Sequence, residues 1–238
     1  MGNSGYTTLT RQSGLMREMQ ALAHNVANLS TTGYRRESLV FTEYLRRLDG
    51  AEEPLSMASA NARQTDETQG TLSQTGGSLD LAIEGDGYFV IETPAGERLT
   101  RNGHFMTNAD GEMVNADGFR LLDAGGAALF IPPDARAITI GRDGTVASDD
   151  QPLGRIGLAR PADPAQMRRA GGTLLDPGGE LVPADTSILH QGFLEDSNVN
   201  PVAEMARMIQ IQRAYEMGQK FLDREDERVR GVIQTLGK

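Results

Sequence analysis

Three histidines and 33 aspartates and glutamates, with no cysteine, set the chemistry open to this 238-residue chain. Without thiolates it cannot build a Cys-ligated zinc site, an iron–sulfur cluster, a disulfide or a cysteine nucleophile. His24, His104 and His190 lie far apart and show neither HxxxH nor HExxH spacing, so each reads as a surface or packing residue. Gly85-Asp86-Gly87 follows one strand-like run and leads into another, whereas a phosphate cradle opens a helix. There is no G-x-S-x-G elbow and no P-loop pattern. The repeated Asn108-Ala109-Asp110-Gly111 and Asn115-Ala116-Asp117-Gly118 are rich enough in oxygen to suggest calcium. Neither has the full acidic loop with its distal Glu, and hairpin turns explain both. Among so many carboxylates some pair will always be close, and nothing singles one out as acid and base. The expectation is no catalytic residue, no cofactor and no metal; the chain is not read as an enzyme.

Charge and composition narrow the partners. The net charge of −10 is uneven: +2 over residues 1–49, −13 over 50–196 and +1 over 197–238. An acidic middle repels nucleic acid and anionic lipid, while near-neutral ends can pack against copies of themselves. Aromatics are 5% with no Trp, which weakens any stacking platform for bases or sugars. No stretch approaches the roughly 18–20 apolar residues of a membrane span. Residues 1–30 contain no apolar run of a cleavable leader, so export, if it occurs, is expected to use another route.

The elements that must carry a function fall into three regimes. Leu15, Met19, Leu22, Val26 and Leu29 step by four and three, predicting a helix over 7–29, and a second is expected over 38–48 from Leu39, Phe41, Tyr44, Leu45 and Leu48. Residues 50–77 are polar and read as an extended linker. Alternating runs such as Leu79–Ile83, the apolar run Tyr88–Ile91 and recurrent Asp-Gly turns make 78–196 a β domain. From Pro201, which Asn198 or Asn200 can cap, Met208, Ile211, Tyr215, Gly218, Leu222, Glu225, Val229, Val232 and Leu236 step by threes and fours to about 236. The boundaries are 1–49 helical, 50–77 linker, 78–196 β and 197–238 helical. The fold class is α+β, with long N- and C-terminal helices packed as a coiled coil and a central all-β domain.

Those apolar steps are narrow seams, and they are the candidate assembly interface. The two helices can pair antiparallel within one chain, but the C-terminal seam is much longer than the N-terminal one. Its surplus needs a second chain or stays exposed. Gly218 and Glu225 interrupt it, and a locally weak helix is the simpler reading of each.

Asn25-Val26-Ala27-Asn28-Leu29-Ser30-Thr31-Thr32-Gly33-Tyr34-Arg35 resembles the N-terminal signature of bacterial flagellar rod and hook proteins. Leu79–Phe89, Thr100–Phe105 and the Asp110-Gly111 to Gly118 stretch resemble the central segment of that family, and Ser197–Val202 with Gln212-Arg213-Ala214-Tyr215-Glu216 its C-terminal signature. The similarity runs in family order along nearly the whole chain. It departs at His24 and at Gly218-Gln219, and the chain is too short for a hook protein. The start and length are most similar to the proximal rod type, with the distal rod type as alternative.

The resemblance implies an axial subunit of the flagellar basal body in the periplasm, touching copies of itself and homologous rod subunits. It implies export without a cleaved signal by the flagellar type III apparatus, and torque carried by packed terminal helices. It also implies that Asn25, Asn28, Gly33 and Tyr34 form the bend after the first helix, and that Asn198, Asn200, Gln212 and Arg213 belong to the C-terminal signature. A secreted oligomer with a ligand site on its β domain is the competing class.

Overall fold

The computed structural model describes the backbone over residues 3–46, 55–149 and 151–236 and side chains over 8–40, 63–149 and 151–235. Helix α1 spans Asn3–Ala27. Strands β1 (Glu37–Arg46) and β2 (Leu55–Thr65) pair as a two-stranded ribbon. Then come β3 (Leu72–Gln74), β4 (Leu81–Glu84), β5 (Tyr88–Thr93), β6 (Gly96–Thr100) and a succession of short strands ending at Phe193–Glu195. Helix α2 runs from Pro201 to Leu236, 36 residues, about 54 Å at 1.5 Å per residue. The fold is α+β.

The chain divides into two compact units. One comprises residues 1–27, 37–64 and 200–238, and the other 28–36 and 65–199.

One expected helix is a strand. Residues 38–48 were assigned by apolar spacing, yet Glu37–Arg46 is extended and paired with β2. Val40, Phe41, Thr42 and Tyr44 favour a pleated strand, and Leu39, Phe41 and Tyr44 do not hold one helical face. Leu48 lies outside the described residues, as do the side chains of Phe41, Tyr44 and Leu45. The expected linker likewise contains β2 and β3.

In the second unit, β5 shows why a continuous apolar run is needed. Phe89 and Ile91 point into one core with Leu81, Ile83, Phe105, Met113 and Leu121. Tyr88 and Val90 point the other way, against Leu99, Leu122 and Leu175. Alternate side chains leave opposite faces of a strand, so only a strand covered on both sides buries every residue in such a run. β5 sits inside a nine-stranded sheet, flanked by β6 and by Arg120–Leu121. Phe89 and Phe105 meet edge to face at 5.2 Å.

The expected hairpin around Asp143-Gly144 is present, with Ile138 opposite Ser148 and Ile140 opposite Val146. Each Asn-Ala-Asp-Gly repeat is a turn closed by its own amide. Asn108 Oδ1 accepts from the backbone N–H of Asp110 and Glu112, and Asn115 Oδ1 from that of Asp117 and Phe119. Asp86-Gly87 does not make a hairpin, because β4 pairs with Ile188–Gln191 instead of β5. Strand β3 pairs with Phe193–Glu195. The β unit is thus closed by strands from both ends of its own sequence.

Candidate assembly interface

Helix α2 starts where the capping chemistry directs it. Asn200 Oδ1 accepts from the N–H groups of Val202 and Ala203, each at 3.1 Å, and Pro201 occupies the first turn. α1 packs on α2 antiparallel. Glu18 pairs with Arg207 at 2.6 Å, and the Gln12 amide donates to the Tyr215 carbonyl at 2.9 Å. Near the end of α1, buried Asn25 donates to the carboxylate of Glu204 at 3.0 Å. The same amide joins the start of β1, donating to the Glu37 carbonyl at 2.8 Å and accepting from the Glu37 N–H at 2.9 Å. The end of α1, the start of β1 and the start of α2 are tied by one side chain, whose two donors and acceptor suit the task.

The seam residues divide by depth. Leu22 and Ile211 are buried, each stabilising the helix pair by about 1.5–3 kcal/mol. Leu15, Met19, Val26, Met208, Tyr215 and Leu222 are half-buried, as is Leu29 just beyond α1. Val229 and Val232 are exposed, and the side chain of Leu236 lies outside the described residues. With Asn25 beside Glu204 and Gln12 beside Tyr215, Asn3 comes level with about residue 225 at equal rise along both helices. The last ten residues or so of α2 therefore lie beyond the level of Asn3, and they carry exposed Val229, Val232 and Ile233.

Gly218 permits close approach. A Cβ there would lie 2.1 Å from the Gln12 amide nitrogen, so the glycine leaves room for the end of that side chain. Glu225 is half-buried and pairs with Arg228 of its own helix at 2.8 Å.

The other signature residues sort by unit. Asn28 follows α1, where its carbonyl accepts from the Thr31 N–H and its Oδ1 from the Thr31 hydroxyl. Gly33 adopts φ +66°, and a Cβ would meet Asn102 N at 2.2 Å, so both conformation and space require glycine. Tyr34 is buried beneath the Arg169 guanidinium, 4.3 Å from its ring centre. Asn198 reproduces the device of Asn25. Its Oδ1 accepts from the Arg36 N–H at 2.7 Å, and its Nδ2 donates to the carbonyls of Asp66 and Thr68. Gln212 and Arg213 are exposed on α2, where Gln212 donates to Glu216 at 3.3 Å.

Sequence reasoning missed the buried charges. Glu195 accepts from the Gly70 N–H at 2.9 Å and stands between Arg35, 2.9 Å away, and Arg101, 3.1 Å away. All three side chains are at most 3% exposed. Arg35 also reaches the Thr68 carbonyl, and Arg101 those of Ile83 and Gly85. Burial, with the like charge of Arg35 beside it, lowers the Arg101 pKa, and burial raises that of Tyr88. Arg35 stood inside the N-terminal signature, but its partner 160 residues away left no local trace. Also missed were Val202, Met205 and Ile209, exposed on the α2 face turned away from Ile211. Their spacing of three and four was readable, though the stronger seam drew attention from it.

The histidines lie on or near the surface: His104 sits 2.7 Å from Asp80 and His190 2.6 Å from Glu84. Among the described residues no group of three metal-ligating side chains converges, and no helix is long and apolar enough to cross a membrane.

Residues 82–148 match the flagellar hook protein FlgE/F/G D1 domain, and residues 190–235 match the flagellar basal body rod FlgEFG protein C-terminal domain. The chain is 40% identical over 244 residues to the flagellar basal-body rod protein FlgF of Caulobacter vibrioides, covering 100% of this chain and 99% of that one. It is 37% identical to the FlgF of Mesorhizobium japonicum, with the same coverage. It is 35% identical to the rod protein FlgG of Agrobacterium fabrum, covering 92% of this chain and 93% of that one.

Proposed function

The chain belongs to the FlgE/F/G family of flagellar rod and hook proteins, and from that premise we propose how its geometry serves the basal body. It is a structural rod subunit of the FlgF kind, not an enzyme, and it assembles with other rod subunits. The FlgG assignment is not favoured.

The terminal helices are the assembly elements. The observation that carries this reading is the apolar end of α2, Val229, Val232 and Ile233, left exposed beyond the level of Asn3. An apolar stripe at helical spacing is completed by another helix, so coiled-coil packing is finished between subunits. The seam residues Leu15, Met19, Leu22, Val26, Met208, Ile211, Tyr215 and Leu222 hold each subunit's helix pair, and Val229, Val232 and Leu236 extend it to neighbours. The signature residues act beneath this: Asn25 fixes the helices to the ribbon, while Gly33, Tyr34 and Asn198 organise the root of the β unit. Torque passes through packed helices, which resist bending. The subunit travels through the flagellar export apparatus, reaches the periplasmic rod without a cleaved signal, contacts copies of itself and neither inserts in a membrane nor binds nucleic acid.

The test is complementation of a motile bacterium lacking its own copy of this gene, followed by mass spectrometry of isolated basal bodies. The chain is expected in the rod fraction, with swimming restored. A Val229→Ser/Val232→Ser/Ile233→Ser variant is expected to fold normally and to be lost from that fraction. A native chain absent from the basal bodies overturns the assignment.

A further inference from the structure

Beside the seam, α1 and α2 leave a groove of about 350 Å³. Its walls are Thr8, Gln12 and Leu15 of α1 with Met217, Gly218 and Phe221 of α2, and Arg11 stands at its edge. Met217 and Phe221 are 65% and 42% exposed, large apolar side chains that the helix pair does not cover. The space a Gly218 side chain would take is filled by the Gln12 amide, which forms part of the groove floor. The side chain of Gln12 is buried, and its amide donates across the floor to Tyr215, but its Oε1 accepts no hydrogen bond.

We propose that this groove receives the C-terminal end of α2 from a second copy of the chain, through Val229, Val232 and Ile233. The inference rests on the rod reading and specifies one contact within it. Donor and acceptor are complementary in shape and in charge. The tip is a ridge of three apolar side chains with no covering helix, and the groove is an apolar trough with no filling ridge. Just before the ridge, Asp223–Glu227 places four carboxylates against one arginine. At the groove, Arg11 has no ion partner among the described residues. Among the described residues Asp226 is held only by an exposed pair to Arg230 of its own helix, a bond of the kind that exchanges readily for another cation.

The two surfaces are different patches of one molecule, so the contact is head to tail and leaves a free tip and a free groove at either end. With parallel α2 helices, bringing residue 231 level with residue 218 offsets successive copies by about 20 Å at 1.5 Å per residue. Such a contact does not close on a dimer. It propagates.

Because the chain has no native cysteine, single introduced cysteines report the contact directly. Full-length Met217→Cys and Val232→Cys chains are co-expressed in a motile host lacking its own copy, and their isolated basal bodies are oxidised. Residues 217 and 232 lie about 22 Å apart on one helix, so a disulfide between them joins two copies. A 217–232 cross-link is expected, several-fold faster than that of Met205→Cys with Val232→Cys, since Met205 lies on the opposite face. Arg11→Glu is expected to suppress it, and Arg11→Glu with Asp226→Arg to restore it. A link no faster at 217 than at 205, or a charge exchange that restores nothing, overturns the proposal. Native chain present in the basal bodies with no 217–232 link refutes this contact and leaves the rod reading standing; native chain absent from them refutes the rod reading itself.

Discussion

Asn25 and Glu204, 179 residues apart, meet at 3.0 Å with both side chains buried, the amide donating to the carboxylate. Helix α1 ends and helix α2 begins at this bond, and Asn25 simultaneously holds both backbone groups of Glu37. Replacing Asn25 by Ala removes its bonds to the Glu37 N–H, the Glu37 carbonyl and the Glu204 carboxylate together. The expected loss is about 2–4 kcal/mol, since each abandoned buried group costs about 1–3 kcal/mol and neighbours are not additive. Urea unfolding followed by far-UV circular dichroism measures it. A midpoint equal to that of the native chain would show that the amide has no role in joining these segments.

Glu195 supports the β unit in a different way. Its carboxylate is the shared counter-charge of Arg35 and Arg101, so Glu195→Gln leaves two buried guanidiniums facing each other. Removing one partner of a buried pair typically costs about 3–5 kcal/mol. The double variant Arg101→Met/Glu195→Gln is expected to recover part of that loss, because it removes one of the stranded charges. Thermal melts of the single and double variants decide the matter.

Gly218→Ala sets two comparable terms against each other. Alanine is the better helix former by about 1 kcal/mol, but its Cβ displaces the Gln12 amide and breaks a hydrogen bond worth about 1 kcal/mol. The substitution alone is expected to leave stability within about 0.5 kcal/mol of native. Made in a Gln12→Ala chain, it should stabilise by about 1 kcal/mol, since only the helix term remains. A double-mutant cycle by urea denaturation reads the difference.

Acid should weaken the β unit. For Asp66, burial works to raise the pKa, but the Thr68 hydrogen bonds and the nearby charge of Arg36 outweigh it and hold the carboxyl below its usual range. The Asp143 carboxyl is lowered by its bonds to Thr145, and that of Glu112 by Asn108 and Arg120. A carboxyl whose folded pKa is depressed contributes stability above its unfolded pKa and loses it as pH falls through the folded one. The melting temperature is therefore expected to fall below about pH 4, where unfolded carboxyls begin to take up protons. Asp66→Asn and Asp143→Asn should each flatten the curve in that window.

Much of this was legible in the residues themselves. Asn200-Pro201 followed by a three-and-four rhythm, apolar except at Gly218 and Glu225, located α2 end to end, because capping and periodicity are local signals. The strand at Glu37–Arg46 was misread for a related reason. A short apolar segment offers few turns to count, and there β propensity and pairing with β2 prevail. The side of α2 that meets α1 followed from Ile211 and Met208, while the role of Gly218 did not, since it depends on where Gln12 crosses. The Arg35–Glu195–Arg101 cluster was beyond reach: each member reads as an ordinary surface charge until distant strands bring the three together.

The pairing of Leu72–Gln74 with Phe193–Glu195 governs when the β unit can form. Its first and last strands are neighbours, so a ring of more than a hundred residues must be drawn shut before either is secured. Contacts of such long sequence separation fold slowly, because loop-closure entropy is spent before the bonds are gained. A chain released progressively from its N-terminus has no complete β unit until Glu195 has emerged, and a fragment ending before that residue has no route to one. Pulse-labelled hydrogen exchange on successively longer fragments should show protection at Leu72–Gln74 arising only once the final strand is included.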